Sequence, residues 1–186
     1  MKILIKTAGR TGSHIITDWL KDYHQFKQVL DQFYNNQQTN IVVHSQLDFI
    51  PDDPHNWIFV SSKRKNLFDQ AISRYIASTT KQTTTYKKNI TKENSIKFEF
   101  VQLIGFIGAI EAEHRYFDHI QQKYNWQSKH TFYYEDLVKG TEVLKTLVSR
   151  KENYYQSSCT EASPYNYKFI VKDYEKMYKK YREFNE

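Results

Sequence analysis

The chain is nearly without cysteine. Cys159 is the only one in 186 residues, which excludes an internal disulfide and the small disulfide-stapled class of fold. Long apolar runs are also missing. No stretch approaches the ~20 residues that a spanning helix needs, and the opening "MKILIKTAGR" holds too short an apolar segment for a secretory leader. Together these absences predict a cytoplasmic chain with no membrane span. The Asn89-Ile90-Thr91 sequon then reads as chance. Glycine is sparse: there are five, and two of them stand in one short loop, at Gly9 and Gly12. Arginine is scarcer than lysine, 6 against 21. Three of the six, Arg10, Arg64 and Arg74, fall in two segments discussed below. The planar guanidinium grips an oxyanion through two bonds, as an ammonium does not.

Aromatic mass is plentiful. With 15 Tyr and 12 Phe, and 39% hydrophobic residues, the chain can build a real core. A mean hydropathy of -0.77 requires a strongly polar surface around it. Length predicts a single domain over residues 1–186. A net charge of +6 favours anionic partners: phosphorylated ligands, nucleic acid or a membrane surface.

Strand patterns occur at residues 2–7, 40–44, 57–62 and 130–136, each a β-branched or aromatic run bounded by turn residues. Helical spacing follows. Ile15, Ile16, Trp19 and Leu20 share one face, and Leu67, Phe68, Ala71, Ile72 and Tyr75 share another. A long helix is predicted over about residues 96–124, a short one around 143–147, and another over about 169–181. Strands alternating with helices predict an α/β fold with a mainly parallel central sheet flanked by helices. Two polar stretches, residues 78–94 and 151–167, read as mobile loops, the first long enough for a lid.

Four segments carry candidate chemistry. The loop "AGRTGS" follows the first strand and opens a helix. Gly9 and Gly12 let backbone N–H groups approach an anion, Ser13 starts a helix whose dipole favours negative charge, and Arg10 adds a full charge. The plain alternative is an ordinary turn with a Ser cap. The loop is not a Walker A motif, because no Lys stands between Gly12 and Ser13. In "SSKRKNLFDQAIS", Lys63, Arg64 and Lys65 crowd a strand end. Like charges so close repel unless an anion joins them; the plain alternative is a solvated cap. Ser73 follows on the next helix. "TFYYEDL" brings Tyr134, Glu135 and Asp136 to the end of a strand. "NIVVH" brings His44 to the carboxyl end of another, where a titrating imidazole has catalytic or structural uses.

In this order the segments resemble the sulfotransferases that use 3′-phosphoadenosine 5′-phosphosulfate. Residues 9–13 stand in that family's opening loop pattern. "RKNLFDQAIS" resembles bacterial carbohydrate sulfotransferases, and Tyr134-Glu135-Asp136-Leu137 spells a motif of the family. His44 stands where cytosolic members carry a His. The resemblance spans roughly residues 2–140. It implies a three-layer P-loop-like fold and sulfonate transfer to a hydroxyl or amine, with a small molecule or carbohydrate as acceptor. It also implies site roles. Arg10 would contact the 5′-phosphate and bridging oxygen, with Gly9 and Gly12 shaping the loop and the amides of Thr11, Gly12, Ser13 and His14 completing the cradle. Ser73 with Arg64 or Lys65 would hold the 3′-phosphate, and Tyr134 would lie near the adenine. His44 would take the acceptor's proton, its charged form disfavoured by cations such as Arg10. His14, Glu135 and Asp136 are the other candidates for that base. No metal is implied. Two other classes are weighed beside this one. A P-loop-like nucleotide kinase is opposed by the missing Gly-Lys-Ser/Thr. A non-catalytic nucleotide- or nucleic-acid-binding module is supported by charge and aromatic content but has no stacking motif.

Overall fold

The computed structural model describes residues 1–24, 26–29, 35, 37–45, 49–80, 99–126, 129–147 and 171–186. The chain divides into two compact units. The first comprises Met1–Lys65 and Ala112–Glu161, the second Asn66–Glu111 and Ala162–Glu186.

The first unit is built on a five-stranded, all-parallel sheet. Its strands are β1 (Lys2–Thr7), β2 (Lys27–Val29), β3 (Ile41–Ser45), β4 (Trp57–Lys63) and β5 (Lys129–Tyr133), in the order β2-β3-β1-β4-β5. The central strands are apolar on both faces, as a parallel sheet covered by other elements requires. Helix α1 (Ser13–His24) packs Ile15, Ile16, Trp19 and Leu20 onto the face formed by Ile3, Ile5, Val42, Val60 and Phe132. Full burial of each such side chain contributes about 1.5–3 kcal/mol. On the opposite face, the ring of Phe59 lies 5.0 Å from that of Trp126, and the Trp126 indole N–H donates to the carbonyl of Trp57 at 3.0 Å.

From β1 the chain passes through α1 to strands at one edge of the sheet; from β4 it passes to β5 at the other edge. β1 and β4 are adjacent and pair in register to their ends, Thr7 with Ser62. The loops that follow these neighbours therefore diverge, which is the switch point where ligands bind in open α/β sheets.

The second unit contains α2 (Leu67–Thr80), the first half of α3 (Phe100–Lys123) and α5 (Tyr174–Asn185). Asn66 caps α2: its Oδ1 accepts from the Asp69 N–H at 3.1 Å, and its Nδ2 donates to the Asp69 carboxylate at 2.8 Å. Such reciprocal capping fixes a helix start. The other Asp69 oxygen accepts from the Tyr174 hydroxyl at 2.7 Å. The rings of Tyr174, Tyr178 and Tyr181 surround Phe68 at 5.2, 5.1 and 5.5 Å.

The α/β class and the parallel sheet agree with the sequence reading, and several bounds differ. The last strand ends at Tyr133 instead of running to Asp136, and α4 (Tyr134–Leu137) follows as a single turn. The turn lets Leu137 enter the core while Glu135 and Asp136 reach the segment after β4. β2 is only three residues long, too short to carry a periodicity. The predicted helix near 143–147 is a 3₁₀ segment over Thr141–Thr146. The tail helix begins at Tyr174, after Asp173 at φ +62. Residues 78–80 belong to α2; the remainder of the two predicted loops, 81–94 and 151–167, lies outside the described residues. Among the described residues, no helix is long and apolar enough to cross a membrane.

Candidate functional site

The loop after β1 is conformationally unusual. Gly9, Arg10 and Gly12 all have positive φ, at +73, +60 and +79. Two are glycines, for which this region is free of penalty; Arg10 is not, and bears a cost of about 1–2 kcal/mol. A run of left-handed residues curls the backbone so that successive N–H groups converge, the geometry of an anion nest. The loop is fastened from beneath. The Ser62 hydroxyl, at the end of β4, donates to the Thr11 carbonyl. The Ile15 N–H donates to the Gly12 carbonyl at 3.0 Å and begins α1. Among the described residues, no acceptor within the protein meets the N–H groups of Thr11, Gly12, Ser13 and His14.

Tyr134 closes one wall. A Cβ on Gly12 would lie 2.9 Å from Tyr134 Cδ2, so the ring rests directly on the glycine. The Arg64 guanidinium lies over the same ring, 4.0 Å from its centroid. Arg64 is 7% exposed, and its Nε has no hydrogen-bond partner. Thr11 is fully buried, and its Oγ1 also lacks one. Buried polar groups in native structures are nearly always satisfied, and these two stand in segments that converge on one ring and one loop.

The two lysines beside Arg64 are engaged differently. Lys65 Nζ pairs with Asp136 at 2.9 Å, and its backbone N–H donates to Glu135 at 3.0 Å. Asp136 chiefly, with Glu135, raises the Lys65 pKa. Lys63 Nζ pairs with Asp118 at 3.4 Å. The crowding of three cations thus has a partly internal answer: carboxylates neutralise two of them. Arg64 has no carboxylate partner among the described residues. Glu135 and Asp136, candidates for a base from sequence, here orient the segment after β4.

His44 stands at the carboxyl end of β3, on the face that carries α1. Its Nε2 lies 3.3 Å from Thr7 Oγ1, and its ring is 5.8 Å, edge to face, from that of His14. Burial, then His14 and Lys6, lower its pKa from 6.5 to about 4. The direction is the one expected from sequence. The cause is not: burial leads and Arg10 is not among the neighbours responsible. Lys6, fully buried at the end of β1, donates to Ser45 at 3.4 Å; nothing in the sequence pattern had separated it from an ordinary strand residue.

The structure therefore brings together Gly9, Arg10, Thr11, Gly12, Ser13 and His14 with Arg64, Tyr134 and His44 in the first unit. Lys65 borders them through Glu135 and Asp136. Ser73 is buried on α2, in the second unit. A shallow groove of about 330 Å³ lies along edge strand β5, between Tyr133, Asp136 and Val143, and none of the loop residues line it. Among the described residues, no cluster of three or more His, Cys, Asp or Glu is placed to hold a metal ion. Comparison with known proteins returned no family model, no curated protein and no solved structure that matches this chain.

Proposed function

We propose that this protein is a sulfotransferase that moves the sulfonate of 3′-phosphoadenosine 5′-phosphosulfate to a hydroxyl or amine acceptor, and that its first unit is the core of a three-layer P-loop-like fold. One observation carries the reading. The loop of residues 9–13, Arg64 and Tyr134 come from three distant segments, and they meet at the carboxyl ends of the adjacent strands β1 and β4.

The residues fit such a donor on two counts. Thr11 Oγ1 and Arg64 Nε are buried donors without partners, and an oxyanion would satisfy both. The N-terminus of the 12-residue helix α1 opens onto the same loop, with backbone N–H groups and dipole favouring negative charge. When bound, the donor supplies an already activated sulfonate, so the protein's task is positioning and charge stabilisation. Arg10, with the amides of residues 11–14, holds the phosphate end. Arg64 and Tyr134 together present one cationic and one flat aromatic surface, the pair suited to a nucleotide's phosphate and base. His44, held neutral beside His14, faces the acceptor.

The test is a thermal-shift comparison of adenosine 3′,5′-bisphosphate with AMP and ATP. The bisphosphate at 100 times its Kd should add about 2.7 kcal/mol, with AMP adding much less. Equal shifts from all three, or none, would reject the donor assignment.

A further inference from the structure

The two edges of the sheet are built differently. β2, at one edge, is three residues long and begins with Lys27; a short, charged edge offers little to another strand. β5, at the other edge, runs Lys129-His130-Thr131-Phe132-Tyr133 and pairs with β4 over all five residues. Its only charge is at the first position, and it holds no proline. Among the described residues, no backbone N–H or C=O of β5 meets a partner on the side away from β4.

The groove of about 330 Å³ follows this open edge. Four consecutive β5 residues, 130–133, line it, with Asp136 and Val143 beside them. Successive side chains of a strand point to opposite faces. A groove touching all four therefore runs along the edge itself, where the main chain is presented. Tyr133 and Val143 are each 38% exposed, so apolar mass stands at its rim.

The sequence of β5 complements itself. A two-fold axis perpendicular to the sheet sets two β5 strands antiparallel and keeps every side chain on its own face. Directly opposite residues must share a face, so the axis passes through a residue and not between two. Only the middle residue, Thr131, lets all five pair. Lys129 then faces the partner's Tyr133, His130 faces the partner's Phe132, and Thr131 faces the partner's Thr131. Cation with ring, imidazole with ring and threonine with threonine are each favourable cross-strand pairs. Charge is matched at the ends as well. Near Tyr133, Lys65 meets two carboxylates, Asp136 and Glu135, and the partner's Lys129 brings the second cation.

We propose that β5 is a dimerisation edge: two copies of this chain pair their β5 strands antiparallel about Thr131 and join their sheets into one, each groove receiving the partner's strand. The interface uses none of the residues of the loop after β1.

Sedimentation of the full chain over a range of concentrations should show a monomer–dimer equilibrium. A monomer throughout would overturn the proposal. Tyr133→Lys sets like charges opposite each other at both ends and should weaken the dimer by about tenfold, with the far-UV circular dichroism unchanged. A folded variant that dimerises as well as the unaltered chain would overturn it too. Disulfide trapping reads the register, in a chain whose single cysteine is replaced by Cys159→Ser. Directly opposite residues of an antiparallel pair have Cα atoms about 4.5–5.5 Å apart, within reach of a disulfide. Thr131→Cys should link to its own copy on mild oxidation. Lys129→Cys alone should not, because its copy lies about 14 Å away along the ladder; combined with Tyr133→Cys it should link. Thr131→Cys gives up the bond between the Thr131 and Ser61 hydroxyls; if it fails to fold, the double variant decides. A dimer that neither variant traps, or one that Lys129→Cys alone traps as readily, has another interface and would overturn the assignment of β5.

Discussion

The guanidinium carbon of Arg64 lies over the ring of Tyr134, 4.0 Å from its centroid, and the same ring rests on Gly12. Two segments 70 residues apart thereby meet at the wall of the loop after β1. A cation held over an aromatic face is worth about 0.5–2 kcal/mol, more as water is excluded. Arg64→Ala and Tyr134→Ala should each destabilise the protein, and a double-mutant cycle by urea unfolding should return a coupling of that size. Additive losses would show that the two side chains are adjacent without energetic coupling.

Lys65 sets a contrast with Arg64. Its ammonium is exposed and paired with Asp136, and solvent screens such a pair strongly. Lys65→Ala should therefore leave stability nearly unchanged. It should weaken binding of adenosine 3′,5′-bisphosphate far less than Arg64→Ala, measured by calorimetry. Equal losses of affinity would place Lys65 on the ligand as well.

Much of this was legible in the chain. The runs "ILI", "IVV" and "IFV" are strands for the reason they read as strands: β-branched and apolar side chains suit a surface buried on both faces. The loop of residues 9–13 was legible because two glycines in a nearly glycine-free chain mark positive φ. Partnerships across distance were not legible. The ion pairs of Lys65 with Asp136 and Lys63 with Asp118 depend on which loops the sheet order brings together, and local periodicity carries no such information. The same holds for Thr7 and His44, whose contact follows from the register of β1 against β3. The end of β5 was misplaced because "YYED" has strand composition at its start and turns helical to seat Leu137.

Gly9 and Gly12 have similar φ, +73 and +79, and different surroundings. A Cβ at Gly9 meets nothing within 4 Å; at Gly12 it meets Tyr134 Cδ2 at 2.9 Å and Leu137 Cδ1 at 3.4 Å. Gly9→Ala should cost only the left-handed penalty, about 1–2 kcal/mol. Gly12→Ala should cost that and a further 1–3 kcal/mol or so of overpacking. Unfolding midpoints in urea will rank them. A smaller loss at Gly12 than at Gly9 would contradict the close seating of Tyr134 on the loop.

The stability of the fold should fall in mild acid, and His44 fixes the window. Its folded pKa is about 4, against an ordinary value of 6.5. Between those values the unfolded chain binds a proton that the folded chain does not, so unfolding becomes easier as pH falls. The contribution is fully present above about 6.5, declines through the interval and is gone below about 4. At 1.36 kcal/mol per pH unit the loss from His44 is at most about 3 kcal/mol. His114 acts in the same direction. Burial first, then Lys63, lower its pKa to about 4, with Asp118 opposing, and its greater exposure makes its share smaller. His44→Gln removes the ionisation and should flatten the dependence of the unfolding free energy on pH between 7 and 4.5, with His114→Gln flattening it further. A slope unchanged in both variants would mean that neither imidazole is held neutral by the fold.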